Sequence, residues 1–134
     1  MPLTRERPTT AVGSGLVREI GIKANVKVWA GGIVVNDAGV AAPGRVATGL
    51  VALGMALETV DNTGGSANAK RVKIQRGVFG FKNQGDDAVV AADIGKDCFI
   101  VDDETVAKTS ATNTRSVAGK VFSIDGDTVF VEFF

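Results

Sequence analysis

The C-terminal stretch Val117-Ala-Gly-Lys-Val-Phe-Ser-Ile-Asp-Gly-Asp-Thr-Val-Phe-Val-Glu-Phe-Phe134 decides the fold class. Two runs rich in apolar, β-prone residues, Val117–Ile124 and Thr128–Phe134, flank Asp125-Gly126. An Asp-Gly pair between two such runs is typical of a tight β-hairpin, because both residues accept the positive φ angles that the turn needs. The sequence therefore predicts that the chain ends in an antiparallel hairpin.

The rest of the chain also reads as short strands between turns. Residues Ile22–Ala30 alternate strictly between apolar and polar positions, which predicts a half-buried strand with Trp29 on its polar side. We also expect strands within Val46–Val60 and at Cys98–Val101, and glycine supplies 17 of the 134 residues. Roughly eight strands with turn signals about every 8–12 residues predict a small all-β domain, either a sandwich or a barrel.

Two local features interrupt this pattern. The apolar positions change phase after Ile74, so we expect a glycine bulge at Arg76-Gly77 within one long strand. The run Ala88–Asp93 has the composition of a single helical turn, which Asp87 would cap and Gly95 would end.

Residues 1–19 differ in composition from residues 20–134 and predict a separate extended N-terminal arm ahead of the β domain. Pro2, Pro8 and Gly13-Ser14-Gly15 oppose both a helix and a core strand. The segment is therefore either a loose terminus or an arm that becomes ordered on a partner, since an extended chain can add to the edge of another sheet.

The side chains that carry most catalysis near neutral pH are scarce. The chain has no histidine and no tyrosine, and Cys98 is its single cysteine. A cysteine nucleophile needs a base, and a phosphate-binding loop needs a glycine motif that the chain lacks. The acidic groups lie where turns are expected, and the net charge is zero. We therefore predict no enzyme, no metal or cofactor, and no affinity for nucleic acid or membranes.

Charge is distributed unevenly along the middle of the chain. Lys70, Arg71, Lys73 and Arg76 form a basic strand with no acidic residue between them, whereas an acidic segment follows it with Asp86, Asp87, Asp102, Asp103 and Glu104. These charges could simply face solvent. Alternatively, the basic strand of one subunit faces the acidic segment of the next in a head-to-tail ring, which makes these nine residues candidates for a subunit interface.

Six runs of sequence follow one another along the chain: Gly54-Met-Ala-Leu-Glu-Thr-Val-Asp-Asn-Thr-Gly-Gly65, Lys70-Arg-Val-Lys-Ile-Gln-Arg-Gly-Val-Phe79, Ala92-Asp-Ile-Gly-Lys96, Val101-Asp-Asp-Glu-Thr-Val106, Val117-Ala-Gly-Lys-Val121 and Val129-Phe-Val-Glu-Phe133. In this order they resemble the small head-decoration, or capsid cement, proteins of tailed bacteriophages. The resemblance covers residues 22–134. It implies a β-rich homotrimer on the outside of the expanded virion shell, assembled in the host cytoplasm. There it would bridge major capsid protein subunits and resist the pressure of packaged DNA.

The residues that we expect to contact the capsid lie mainly in the arm: Leu3, Arg5, Arg7, Val12, Leu16, Val17, Arg18 and, from the β domain, Trp29. Two other functions fit a β module of this kind. A secreted or virion-borne carbohydrate-binding or adhesion module would present exposed aromatic side chains in a groove. An oligonucleotide-binding barrel would present a continuous basic groove with stacked phenylalanines.

Overall fold

The computed structural model describes residues 16–133, and within that range the chain is all-β apart from one 3₁₀ turn. This confirms the predicted fold class. The elements, in chain order, are β1 (Val17–Gly21), β2 (Lys27–Val28), β3 (Ile33–Asp37), β4 (Val40–Pro43), β5 (Val51–Ala56), β6 (Val60–Asp61), β7 (Arg71–Gln75), β8 (Gly77–Asn83), the 3₁₀ turn η1 (Ala91–Asp93), β9 (Asp97–Ile100), β10 (Thr105–Ala107), β11 (Val117–Asp125) and β12 (Thr128–Phe133). The strands number more than the predicted eight, because some of the predicted long strands are divided.

The strands form two main layers. The first is a five-stranded sheet in the order β1-β7-β5-β3-β4, and the second is a closed barrel in the order β10-β8-β12-β11-β9. A short ribbon of β2 and β6 lies beside them. The predicted C-terminal hairpin is confirmed as β11–β12. Asp125 lies opposite Thr128, so the two-residue turn is Gly126-Asp127 and not the predicted Asp125-Gly126, and only Gly126 has a positive φ, of 60°.

The core follows from the alternation of side chains along each strand. On β3, Ile33 and Val35 face one way and pack with barrel residues such as Val131, whereas Val34 faces the other way and packs with Ile74. Within the barrel, the rings of Phe81 and Phe133 meet edge to face, with centroids 5.9 Å apart. The five-stranded sheet is therefore buried on both faces, and one of these faces joins it to the barrel.

The predicted bulge at Arg76-Gly77 is wrong, because the chain leaves one sheet and enters the other at this point. β7 ends at Gln75 in the five-stranded sheet, and β8 begins at Gly77 in the barrel. Gly77 has a φ of 148°, a conformation that side chains with a Cβ rarely adopt. The change of phase in the apolar pattern marks a corner between two layers.

The predicted strand Ile22–Ala30 is also wrong as a single element, because a turn at Ala24 and Asn25 divides it. Asn25 has a φ of 57°, which asparagine tolerates better than most residues. The side-chain Oδ1 of Asn25 accepts a hydrogen bond from the Gly64 N–H at 2.9 Å, which holds the turn against a distant loop. Only Lys27–Val28 pairs as a strand after this turn. Of the predicted Val46–Val60 strand, residues Val51–Ala56 form β5.

The boundary between arm and domain lies nearer the N-terminus than predicted. Residues 17–19 belong to β1, which pairs in antiparallel register with β7, Val17 opposite Gln75 and Glu19 opposite Lys73. The prediction failed there because edge strands need only one neighbour and can be short and polar. Residues 1–15 of the predicted arm lie outside the described residues.

The predicted helical turn is confirmed in a shorter form, but its predicted cap is wrong. It spans Ala91–Asp93, and the Val90 N–H donates to the carboxylate of Asp93 at 2.9 Å. Asp87 does not cap this turn, because its carboxylate binds Thr109 and Arg115 instead.

Candidate functional site

An exposed aromatic side chain, Trp29, lies in a concavity between two loops. Trp29 is 55% exposed and lines a hollow of about 490 Å³ together with Ala30, Gly31, Gly32, Asp103 and Glu104. Two backbone hydrogen bonds position the walls: Gly32 N–H donates to the Trp29 carbonyl at 3.1 Å, and Ile33 N–H donates to the Asp103 carbonyl at 2.8 Å. The hollow therefore joins the β2–β3 loop to the β9–β10 loop.

Charged groups surround this hollow. The Lys27 ammonium lies 3.8 Å from the centroid of the Trp29 ring, within the range of a cation–π contact. Burial raises the pKa of Asp103, and the neighbouring carboxylates of Asp102 and Glu104 raise it further. Glu104 forms an ion pair with Lys82, which raises the pKa of that lysine. An aromatic face beside carboxylates can stack on a sugar ring and accept hydrogen bonds from its hydroxyl groups.

A second surface is an apolar patch on the outside of the barrel. β11 pairs with β9 in antiparallel register, with Lys120 opposite Asp97. Just before β9, the Gly95 N–H donates to the Val121 carbonyl at 2.8 Å, and the Val121 N–H donates to the Lys96 carbonyl at 2.9 Å. The 3₁₀ turn η1, which directly precedes Ile94, also packs against β11.

The members of this patch are exposed although they are apolar. Phe122 is 57% exposed and Ile94 is 48% exposed. Val90, Ala91 and Ala92 beside Ile94 are also exposed. We call these five residues the β11 patch. A contiguous exposed apolar surface of this kind marks protein–protein contacts more often than isolated apolar residues do.

A third surface is the outer edge of β1. The Arg76 N–H donates to the Leu16 carbonyl at 2.8 Å, and the Ile22 N–H donates to the Lys70 carbonyl at 2.9 Å, so even-numbered residues of this strand direct their backbone groups toward β7. Val17 and Glu19 therefore direct theirs outward. At the far end the edge is closed, because Ile22 bridges Ala41 of β4.

Several of the predicted interface charges have partners within the chain. Arg71 Nε binds Glu19 at 2.9 Å, and Lys70 Nζ donates to the Asp61 carbonyl at 2.7 Å. Asp87 pairs with Arg115 at 2.9 Å.

The remaining predicted interface charges differ in exposure. Lys73 and Asp86 are exposed, and Asp102 accepts a hydrogen bond from the Glu104 N–H at 2.9 Å. Arg76 is half-buried, and its Nε is buried without a hydrogen-bond partner among residues 16–133. Six of the nine candidates have no side-chain ion pair among the described residues: Lys70, Lys73, Arg76, Asp86, Asp102 and Asp103.

The predicted capsid-contact residues fall into two groups. Leu16, Val17 and Arg18 are exposed at or beside the β1 edge, and Trp29 is exposed in the hollow. Leu3, Arg5, Arg7 and Val12 lie outside the described residues. Sequence reasoning missed the β11 patch. Phe122 lies within a strand and Ile94 follows a 3₁₀ turn, and the sequence alone does not indicate that both belong to one surface.

The single cysteine lies inside the barrel core. Cys98 is fully buried, and its Sγ donates to the Gly119 carbonyl at 3.6 Å. Burial raises the pKa of its thiol to about 12, so the thiolate is almost absent at neutral pH. Among residues 16–133, histidine, cysteine and acidic side chains form no group of three that could hold a metal ion.

Comparison with protein-family models, curated proteins and solved structures finds no match to this chain. In the described part of the chain, no helix has the length and apolar character needed to cross a bilayer.

Proposed function

We propose that this chain is a structural capsid decoration protein. It binds the outer surface of an expanded phage shell and bridges major capsid protein subunits as a homotrimer. The observation that carries the proposal is the β11 patch, in which Ile94 and Phe122 are 48% and 57% exposed. A patch of this kind on a rigid barrel suits a protein whose role is to contact other proteins.

Three further features support the proposal. The order of sequence runs between residues 54 and 133 resembles that of capsid cement proteins. The β1 edge offers backbone hydrogen-bonding groups to a strand from another chain. Repetition around an icosahedral lattice makes many modest contacts effective, since linked contacts reinforce one another.

Decoration is tested by mixing the purified protein with expanded shells of the cognate major capsid protein and imaging them at high resolution. We expect density for three copies at local threefold positions. Phe122→Ser should lower occupancy at least several-fold while leaving the melting temperature nearly unchanged, because Phe122 is exposed. Val117→Ser, at an exposed position outside the β11 patch, is the matched control. Bare shells after incubation at saturating protein would refute the proposal.

The hollow at Trp29 favours a second candidate, a carbohydrate-binding or adhesion module. An exposed tryptophan beside Asp103 and Glu104 is the arrangement that this alternative requires. Titration with a panel of glycans, followed by the fluorescence of Trp29, tests it directly because the chain contains one tryptophan. Saturable binding that Trp29→Ala abolishes and Lys120→Ala retains would establish this function, and an unresponsive signal across the panel would dismiss it.

A further inference from the structure

The outer edge of β1 is open at its N-terminal half. Val17, Arg18 and Glu19 are all exposed, and the outward backbone groups there belong to Val17 and Glu19. Among residues 16–133, the side chain of Arg71 provides the one partner for these groups, donating from Nη2 to the Glu19 carbonyl at 2.8 Å. An edge of this kind is a template for one more strand.

A second β1 strand is a poor occupant of this edge. Full antiparallel overlap of two such five-residue strands would place Glu19 directly opposite Glu19. Like charges at directly opposite positions destabilise a strand pair. The occupant should instead present a basic residue opposite Glu19 and an acidic residue opposite Arg18.

The sequence that precedes β1 contains a segment with this order of charges. In antiparallel order, Arg5-Glu6-Arg7 places Arg5 opposite Glu19, Glu6 opposite Arg18 and Arg7 opposite Val17. Val17 and Glu19 would form the hydrogen-bonded pairs of this ladder, and the charges of Arg5 and Glu6 select the register. It also places Pro8 opposite Leu16, where the missing N–H of proline would point away from β1, as edge prolines do.

The connecting chain indicates which molecule supplies this strand. Pairing within one chain would leave residues 9–15 as the loop of the hairpin, which is longer than the usual two to five residues of hairpin loops. Between two copies no tight turn is needed, and residues 8–15 can span up to about 25 Å when extended.

We propose that the N-terminal segment Arg5-Glu6-Arg7 of one copy adds as an antiparallel strand to the β1 edge of a neighbouring copy. The exchange links each subunit to the next in one direction, so that it closes a ring. This inference rests on the proposed self-assembly and gives it a contact between subunits. In this proposal Arg5 and Arg7 contact a neighbouring copy of the chain, whereas the sequence analysis predicted that they contact the capsid.

A cysteine cross-link tests the register. Glu6→Cys with Arg18→Cys places the two new thiols at directly opposite positions that are not hydrogen-bonded, where Cα atoms lie about 4.5 Å apart and a disulfide can form. Arg7→Cys with Arg18→Cys is the matched control, because in this register its side chains point to opposite faces. Cys98 does not compete, since it is fully buried.

After mild oxidation of the full-length protein we expect covalent oligomers up to the trimer from the first pair, at least ten-fold more than from the control. Equal yields from both pairs, monomers without any cross-link, or a cross-link confined to single chains would each overturn the exchange. Shell decoration by the unmodified protein is imaged in parallel. Decoration of shells without any cross-link would contradict the strand exchange and leave the capsid role standing. A cross-link without decoration would contradict the capsid role and leave the strand exchange standing.

A charge exchange provides a second measurement on the same contact. Glu6→Arg or Arg18→Glu alone should weaken trimer formation roughly two- to five-fold at low salt, in the range of an exposed ion pair. The double variant should restore it, because the pair is re-formed with opposite polarity. Failure of the double variant to recover would show that these two side chains do not meet.

Discussion

Arg115 and Asp87 form an ion pair at 2.9 Å that ties the loop before β11 to the loop after β8. The pair is largely shielded from water, with side-chain exposures of 13% and 23%. The same oxygen of Asp87 accepts hydrogen bonds from the Thr109 hydroxyl at 2.6 Å and the Thr109 N–H at 3.2 Å. One carboxylate therefore organises the polar loop that leads into the C-terminal hairpin.

Replacement of Arg115 should destabilise the fold, because it leaves a shielded carboxylate without its cation. We expect Arg115→Ala to lower the free energy of unfolding by about 1–3 kcal/mol in urea titrations. Lys120→Ala is the matched control, since its pair with Asp97 is half-exposed, and it should change stability by less than about 1 kcal/mol. Equal losses in the two variants would show that the Asp87 pair has no special weight.

Asp87 should also make stability depend on pH in the acid range. The Thr109 hydroxyl, the Thr109 N–H and Arg115 lower the pKa of Asp87 below its ordinary value of 3.8, against an opposing effect of burial. A lowered pKa in the folded state stabilises the fold above the ordinary carboxyl pKa, and this contribution is lost as the pH falls toward the folded value. Thermal melts from pH 6 to about pH 3 should therefore show a steeper loss for the natural protein than for Asp87→Asn, and parallel curves would contradict this assignment.

Gly54 is expected to be intolerant of any side chain. It has a φ of 145°, and an added Cβ would lie 2.2 Å from the carbonyl oxygen of Gln75 on the neighbouring strand. Gly54→Ala should cost roughly 3 kcal/mol or more, or prevent soluble expression. Gly85→Ala is the control, because an added Cβ there meets nothing within 4 Å, and its stability should stay within about 1 kcal/mol of the natural protein.

Cys98 should resist alkylation in the folded protein. Its thiol is fully buried and its pKa is raised to about 12, so both access and thiolate are lacking at pH 8. Mass spectrometry after iodoacetamide treatment should show an unmodified chain under native conditions and one adduct per chain in denaturant. Rapid native labelling would show that the barrel core opens readily.

The sequence by itself determined the features that depend on neighbouring residues. Gly126 between two β-prone runs indicates a hairpin, because turn chemistry is local. The alternation around Val72 and Ile74 indicates a half-buried strand in the same way.

Only the tertiary structure decided which strands meet and therefore which surfaces exist. β12 pairs with β8 across a long intervening stretch of chain, and Gly77 turns the chain from one layer into the other. The segment of η1 and Ile94 meets β11 beside the pairing of β9 with β11 in the barrel. The N-terminal half of the β1 edge has no neighbouring strand among the described residues, because β1 is the last strand on that side of its sheet. Pairing between distant strands depends on the packing of whole layers, so a local pattern of residues does not indicate which strands will pair.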